Sequence, residues 1–352
     1  MELPVRIAAV GRALPDPYYD QETLLAALKE AWAGRLFNPA RLEQIHRHVL
    51  VGGRHLALPL ARYATLRSFT EANDAWIACA VELGERAVAD ALARAGLRPR
   101  DVGQLWFTTV TGLATPSIDA RLANRLGLRS DVKRTPIFGL GCVGGAAGIA
   151  RAADALRGLP DDVAVLLSVE LCSLTLQRAD FSIPNLIASG LFGDGAAAVV
   201  LTGAARPARG PRVVATRSVF YPGTERVMGW EIGSEGFRVV LSGEVPQIAR
   251  GIRKDVDEFL AAEGLSRADV STWVCHPGGP KVLEAFEQAL ELPEGALELA
   301  WRSLREVGNL SSASVLLVLG DTLAGPQPPP GSHGLLLAMG PGFCAELVLL
   351  RW

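Results

Sequence analysis

Residues 141–158 read GCVGGAAGIARAADALRG, and residues 308–325 read GNLSSASVLLVLGDTLAG, 167 positions later. Each stretch begins with glycine and a polar or reactive residue, and small residues follow. Each then runs into an apolar helical pattern that ends at glycine. Similarity between two such distant stretches indicates a repeated structural unit.

Two more pairs of similar segments occur in the same order along the chain. Residues 88–102 (VADALARAGLRPRDV) and 256–270 (VDEFLAAEGLSRADV) are identical at seven of 15 positions, and each predicts a helix, a turn and a following strand. Residues 193–201 (GDGAAAVVL) resemble 340–348 (GPGFCAELV), but this offset is 147, so the first half carries about 20 extra residues. We therefore predict two halves, residues 1–210 and 211–352.

Apolar runs alternate with the predicted helices. The segments 163–169 (VAVLLSV) and 334–339 (GLLLAM) are continuously apolar, as expected of strands that are covered on both faces. This alternation predicts an α/β fold. Two similar halves packed face to face would give a layered sandwich with a pseudo-twofold axis, where equivalent positions converge.

Composition excludes several classes of protein. The chain has 352 residues, of which 49% are hydrophobic, and its net charge is −2, so neither global disorder nor nucleic-acid binding through overall charge is expected. The five cysteines show neither a disulfide framework nor zinc-site spacing. The chain start does not predict a secretory signal, and no uninterrupted stretch predicts a membrane span. We expect a cytoplasmic protein without a metal.

The repeat selects candidate catalytic residues. Cys142 and Asn309 are equivalent positions at the start of an apolar helix, and His276 ends the strand equivalent to residues 104–110. A helix N-terminus and a neighbouring imidazolium would stabilise a Cys142 thiolate, while glycines leave backbone N–H groups free for an oxyanion. An Asn309 amide would add an uncharged donor.

Simpler interpretations exist for each motif alone. Residues 275–280 (CHPGGP) also fit a turn after a strand, and residues 308–312 (GNLSS) fit a helix cap. Cys79, Cys275 and Cys344 fit small core side chains. The symmetric placement of the motifs favours a shared site.

At these residues the sequence resembles the thiolase-fold condensing enzymes, and most closely the type III polyketide synthases of the chalcone synthase-like family. The motifs are GLGCVGGA (139–146), LFGDGAAA (191–198), CHPGGPKVLEA (275–285), GNLSSASV (308–315) and GPG (340–342). The resemblance implies a five-layered αβαβα sandwich, a homodimer, and a catalytic triad of Cys142, His276 and Asn309. The related β-ketoacyl-ACP synthase III enzymes typically have Gln-Ala-Asn after the histidine, whereas this chain has Pro-Gly-Gly-Pro.

The resemblance also implies the reaction. Such enzymes load an acyl group from CoA on the cysteine, decarboxylate malonyl-CoA, condense the enolate with the thioester and cyclise the chain, without an external cofactor. A basic segment at residues 40–55 matches the CoA-contacting region of the family, with Arg41, His48 and Arg54 as candidate contacts. A solvated helix face is the alternative for this segment. A metal site at His46 and His48 is disfavoured, because positions i and i+2 do not share a helix face.

The resemblance assigns further residues to the substrate cavity. These are the gatekeeper Phe192, Cys172 with Thr111 and Thr115 opposite, Ser311, and Val239 in place of a second gatekeeping phenylalanine, with Phe237 nearby to refill the space. Cys172 and Val239 suggest a medium- or long-chain acyl-CoA starter and an alkylpyrone or alkylresorcinol product. A malonyl-primed tetrahydroxynaphthalene-type synthase with a compact cavity is the alternative. A single-condensation synthase, a silent partner subunit and a Cys-His-Asn hydrolase are further rivals.

Overall fold

The structure, a computed structural model, describes residues 4–352. Its strands are β1 (Val5–Ala13), β2 (Tyr18–Asp20), β3 (Gly53–His55), β4 (Gln104–Thr109), β5 (Lys133–Phe138), β6 (Val163–Leu171), β7 (Asp194–Thr202), β8 (Arg212–Phe220), β9 (Met228–Gly233), β10 (Gly236–Leu241), β11 (Val270–Cys275), β12 (His333–Gly340) and β13 (Cys344–Arg351).

The α-helices lie between these strands. They are α1 (Gln21–Ala31), α2 (Pro39–His48), α3 (Leu60–Tyr63), α4 (Phe69–Ala95), α5 (Ile118–Leu126), α6 (Gly144–Arg157), α7 (Ile183–Leu191), α8 (Val245–Arg250), α9 (Ile252–Ala262), α10 (Pro280–Leu290), α11 (Glu298–Val307) and α12 (Ser314–Ala324).

The main sheet shows the duplication directly. Its strand order is β11-β12-β13-β8-β1-β7-β6-β4-β5. Strands β4, β6, β7 and β1 of the first half are mirrored by β11, β12, β13 and β8 of the second. The two half-sheets meet through a short pairing of β1 with β8, at Val5 with Val213 and Arg6 with Arg212.

Helices cover both faces of each half-sheet. Helix α4 packs on β1, β6 and β7, while α6 and α12 contact each other and strands of both half-sheets. On the far side of the second half, the Arg217 guanidinium of β8 stacks over the ring of Phe259 in α9. The predicted five-layered αβαβα sandwich of two duplicated α/β halves is confirmed.

The apolar strands behave as their composition predicts. Every residue of β6 and of β7 is buried, because helices cover both faces at the centre of the fold. The predicted boundary at residues 210 and 211 falls between β7 and β8. Since the half-sheets are continuous, independent domains at this boundary stay a prediction.

Two small ribbons lie outside the main sheet and reach the candidate site. Strand β2 pairs with β3, which brings residues 18–20 beside residues 53–55. Strand β10 pairs with β9 in a second antiparallel ribbon. Both ribbons carry side chains that were assigned to the site from the sequence.

Candidate active site

Cys142 lies at the centre of the molecule, in a 3-10 turn (Gly141–Val143) that leads into α6. Gly141 has a φ of +53°, and a Cβ at this position would lie 2.7 Å from the ring of Pro341. A Cβ on Gly340 would lie 2.7 Å from the backbone of the same turn. The glycines therefore allow the Cys142 turn of the first half to pack closely against the 340–341 loop of the second.

The carboxamide of Asn309 has a fixed orientation. Its Oδ1 accepts a hydrogen bond from the Ser311 backbone N–H at 2.7 Å, and its Nδ2 donates to the Gly278 carbonyl at 3.0 Å. An amide nitrogen carries two hydrogens, so one N–H remains for another acceptor. The Asn309 side chain also acts to lower the pKa of the Cys142 thiol, against the larger effect of burial.

His276 directly follows β11, and its backbone N–H donates to Leu337 at 2.9 Å. The ring is buried and lies against Gly278, where an added Cβ would be 3.4 Å from the ring Cδ2. Neither ring nitrogen has a hydrogen-bond partner among the residues that the structure describes. Asn309 thus contacts the Gly278 carbonyl beside His276, and the turn that Asn309 begins carries Ser311, whose hydroxyl is 3.7 Å from the Cys142 sulfur.

Burial disfavours the charged forms of both Cys142 and His276. It raises the pKa of the Cys142 thiol to about 11, although hydrogen bonds from Ser311 and Asn309 act in the opposite direction. Burial also lowers the pKa of His276 to about 3. Desolvation is therefore the largest effect on the Cys142 thiol, and the predicted thiolate needs the imidazole as well as the helix terminus. A proton transferred from Cys142 to His276 would create both charges together, and their attraction would offset the lost hydration.

A buried carboxylate near the thiol was not selected from the sequence. Glu170 is the penultimate residue of β6, and its Oε2 accepts hydrogen bonds from the Thr109 hydroxyl, the Val110 N–H and the Thr111 hydroxyl. Its Oε1 accepts from the Ser312 hydroxyl of the other half at 2.5 Å. The signal in the sequence was a charged residue inside an otherwise apolar strand, which is rare unless the charge is satisfied.

The Glu170 carboxyl is expected to make folding stability depend on pH. Burial raises its pKa from 4.5 to about 7. Between these values the unfolded chain releases the proton and the folded chain retains it, so the free energy of unfolding falls by about 3 kcal/mol as pH rises. We expect Glu170→Gln to lack this component in denaturant titrations over the same pH range.

The matched control for this prediction is Glu306→Gln, because Glu306 is exposed. It is expected to follow the wild-type pH dependence. An identical pH dependence in the wild type and in Glu170→Gln would contradict the prediction. In that case, a difference in the free energy of unfolding that stays constant with pH would report only the changed hydrogen bonds.

Two of the predicted cavity residues lie close to Cys142. The Ser311 hydroxyl is 3.7 Å from the Cys142 sulfur, and Ser311 adopts a left-handed backbone conformation with a φ of +47°. Cys172 is buried directly after β6, and the charges of Glu170 and Cys142 help burial to raise the pKa of its thiol. The predicted place of Cys172 in the starter pocket stays a prediction.

The two threonines lie in different environments. The Thr111 hydroxyl donates to Glu170 at 2.8 Å and accepts from the Trp76 indole N–H at 3.2 Å, so its polar atom is engaged in the protein interior. Thr115 is exposed on the surface of the single chain. The assignment of both threonines to the pocket opposite Cys172 stays a prediction.

The remaining cavity candidates are spread over two regions. Phe192 is half-buried and forms a backbone bridge with Asn309, which places it at the junction of the two halves. Phe237 is buried and contacts Phe69 and Trp230 edge-to-face, so it belongs to an aromatic cluster. Val239, on the same strand, is half-buried.

The predicted CoA contacts do not form one patch. Arg41 and His48 are exposed on α2, seven residues apart, and so lie on the same side of the helix. Arg54 is buried on β3, and its Nη1 donates to the Phe192 carbonyl at 2.8 Å. This position does not suit a phosphate contact, because the charged group points into the protein.

Within residues 4–352, no group of three or more His, Cys, Asp or Glu side chains could hold a metal ion. No helix in this part of the chain has the length and apolar composition needed to cross a membrane.

The fold and this arrangement define a class of protein. A duplicated α/β sandwich with Cys142, His276 and Asn309 converging at its centre is what the resemblance to thiolase-fold condensing enzymes implies. The chain belongs to the chalcone and stilbene synthase family: the model of the N-terminal domain matches residues 3–206, and that of the C-terminal domain matches residues 212–352. It is a type III polyketide synthase, a decarboxylating condensing enzyme of the acyltransferase type.

Individual relatives agree with this family. The chain is 55% identical over 350 residues to the 1,3,6,8-tetrahydroxynaphthalene synthase of Streptomyces peucetius subsp. caesius, which covers 98% of this chain and 93% of the relative. It is 35% identical to a putative chalcone synthase of Bacillus subtilis, over 98% of both chains. The crystal structure of 1,3,6,8-tetrahydroxynaphthalene synthase from Streptomyces coelicolor superposes with a TM-score of 0.93 at 28% identity, over 99% of both chains.

Proposed function

We propose that this enzyme uses malonyl-CoA both as starter and as extender and forms 1,3,6,8-tetrahydroxynaphthalene. The observation that carries the proposal is the 55% identity, over nearly the whole chain, to a synthase of that name. This similarity favours the malonyl-primed alternative over the fatty acyl starter that Cys172 and Val239 suggested. The ten carbons of a naphthalene correspond to five two-carbon units, so one precursor is sufficient.

The interior near Cys142 is consistent with a compact product. Cys172 is buried close to Cys142, and Phe237 is packed between Phe69 and Trp230. A short chain would fit beside small side chains such as Cys172, and the packed ring of Phe237 would limit the reach of a long one. These contacts support a short polyketide over a long acyl tail.

The first chemical role concerns decarboxylation. Malonyl-CoA loses CO₂, and the electron pair of the broken C–C bond becomes the enolate of the thioester. The free N–H of Asn309 and a neutral His276 N–H can donate to the thioester oxygen, where the negative charge develops. The Asn309 donor is held in place before reaction, because its carboxamide is fixed by Ser311 and Gly278.

The second role is acyl transfer. Cys142 gives its proton to His276 and attacks the thioester carbonyl, and the CoA thiolate leaves and takes up a proton. The enolate carbon then attacks the Cys142-bound acyl group, which forms the new C–C bond and releases the Cys142 thiolate. The extended chain returns from CoA to Cys142, and the cycle repeats until cyclisation. No step needs an external cofactor.

Two surfaces complete the proposal. Arg41 and His48 on the exposed side of α2 would contact the CoA phosphates through charge-assisted hydrogen bonds. The apolar side chains of Leu113 and Phe138 are exposed, and Phe138 ends the edge strand β5 four residues before Cys142. We propose that this face forms the interface of a homodimer.

Product analysis tests the proposal. The purified enzyme is incubated with carbon-13 malonyl-CoA alone, in the presence of a chelator, and in parallel with acyl-CoA starters of graded chain length. We expect a naphthalene product with every carbon labelled and no starter requirement. A product that forms only with a fatty acyl-CoA would overturn the proposal and restore the alkylpyrone or alkylresorcinol prediction. A single extension would identify a β-ketoacyl synthase, and a free acid would identify a hydrolase.

A further inference from the structure

Arg54 is a buried cation that donates a hydrogen bond to a backbone carbonyl. Only 4% of the residue is exposed, and within the described residues its guanidinium makes one hydrogen bond, to the Phe192 carbonyl at 2.8 Å. Its Nε is buried without a partner. A buried guanidinium is costly, so a single contact of this kind indicates that the position of the accepting carbonyl matters.

The accepting carbonyl lies at the junction that carries Asn309. The Asn309 N–H donates to the Leu191 carbonyl at 2.9 Å, and the Gly193 N–H donates to the Asn309 carbonyl at 3.0 Å. These two hydrogen bonds join the end of α7 to the start of the 309–313 turn. The Phe192 carbonyl lies between them in the chain, and Arg54 holds it in a third hydrogen bond.

The aliphatic stem of Arg54 packs on the same junction. A Cβ on Gly308 would lie 3.2 Å from the Cγ and Cδ of Arg54, and a Cβ on Gly193 would lie 3.6 Å from its Cβ. The stem therefore lies over the glycine that precedes Asn309. The stem and the guanidinium together contact both chain segments of the junction, the one after α7 and the one before the 309–313 turn.

The charge of Arg54 is balanced within the protein. Asp194 and Arg54 each favour the charged form of the other, and burial leaves the pKa of Arg54 at about 10. The Asp194 carboxylate accepts hydrogen bonds from the Ala57 and Ser173 N–H groups at 2.6 and 2.8 Å. Arg54 is thus anchored beside the segment that carries Cys172, and it does not depend on a ligand for its counter-charge.

We propose that Arg54 is a positioning residue for the condensing reaction, which holds the Asn309 carboxamide in place through the Phe192 carbonyl. The inference rests on the proposed function, because it assumes that Asn309 donates to the thioester oxygen. Misplacement of a donor by about 1 Å is sufficient to slow a reaction about a hundredfold. Arg54 therefore acts on the turnover number and leaves the binding of CoA thioesters unchanged.

The test compares four arginine variants in malonyl-CoA decarboxylation, followed by CO₂ release and corrected for the folded fraction. We expect Arg54→Met to lower kcat about a hundredfold and Arg54→Lys about tenfold, each with KM within about twofold of the wild type. Arg41→Met, on the exposed side of α2, is expected to raise KM instead. Arg100→Met, at an exposed residue outside the basic segment 40–55, is the neutral control.

A double-mutant cycle separates positioning from a purely structural role. In an Asn309→Ala background, Arg54→Lys is expected to change kcat less than about twofold, because the group that it positions has been removed. Arg54→Lys retains the charge and the stem, so it keeps the test valid if Arg54→Met does not fold.

Three results would overturn the inference. These are a raised KM with unchanged kcat in the Arg54 variants, a kcat that is unchanged after correction for folding, and full additivity with Asn309→Ala. Failure of the proposed function gives a different result, since a wild-type enzyme without malonyl-CoA decarboxylation would refute that function before any variant is compared.

Discussion

Replacement of Cys142 by alanine is expected to abolish acyl loading and to lower polyketide formation by at least about a thousandfold. The thiol is the group that forms the acyl–enzyme bond, and the alanine methyl group has no nucleophile to replace it. Malonyl-CoA decarboxylation should persist in part, because the thioester then remains on CoA and the donors at His276 and Asn309 are intact. The variant therefore separates decarboxylation from condensation.

Mass spectrometry of the intact protein measures the first effect. After incubation with malonyl-CoA, the wild type should carry an acyl adduct on Cys142 and the variant none. The matched control is Cys79→Ala, since Cys79 is half-buried in α4, where its thiol contacts the Ala57 carbonyl, and it should load normally. An acyl adduct and normal product in Cys142→Ala would refute the assignment, as would a wild type that remains unloaded, which is the behaviour of a silent subunit.

The convergence of the three candidate residues could be predicted because the chain is duplicated. Cys142 and Asn309 occupy equivalent positions, and equivalent positions of two halves related by an axis must meet near that axis. The strand order and the contacts between α6 and α12 show this symmetry in the structure. The catalytic roles of these residues stay predictions, which the substitutions at Cys142 and His276 test.

The buried environment of the site could not be predicted in the same way. Arg54 follows a basic helix in a Gly-Gly-Arg-His segment, which is typical of an exposed anion-binding surface. Its burial results from the pairing of β2 with β3 and from packing against Gly308, which are contacts between distant parts of the chain. The hydroxyl of Thr111 is similarly engaged by Glu170 from another strand.

Substrate choice was the least predictable property. It depends on the volume between side chains such as Cys172 and Phe237, and on whether these face the thiol or the protein interior. Phe237 packs against Phe69 and Trp230, and its role in refilling the space left by Val239 stays a prediction. Single positions taken from a family pattern therefore indicated a longer starter than overall similarity supports.

Replacement of His276 by alanine is expected to lower malonyl-CoA decarboxylation by about a hundredfold to a thousandfold, the usual loss when one oxyanion donor is removed. Because burial lowers the pKa of His276 to about 3, the imidazole is neutral at assay pH and donates one N–H. His276→Gln, which supplies a neutral amide N–H, should therefore retain more decarboxylation than His276→Ala. Titration of His276 should not affect the rate between about pH 5 and pH 8.

The His276→Ala variant is also expected to change the reactivity of the Cys142 thiol. Without the imidazole as proton acceptor, Cys142 has only its own pKa, which burial raises to about 11, so alkylation by iodoacetamide at neutral pH should slow by at least about tenfold. Alkylation is followed against pH in the wild type, His276→Ala and the control His333→Ala, whose histidine starts β12. Equal alkylation rates in all three proteins would show that His276 does not accept the Cys142 proton. Equal decarboxylation rates would show that His276 does not donate to the thioester oxygen. A different base would then have to be sought among the groups around Glu170.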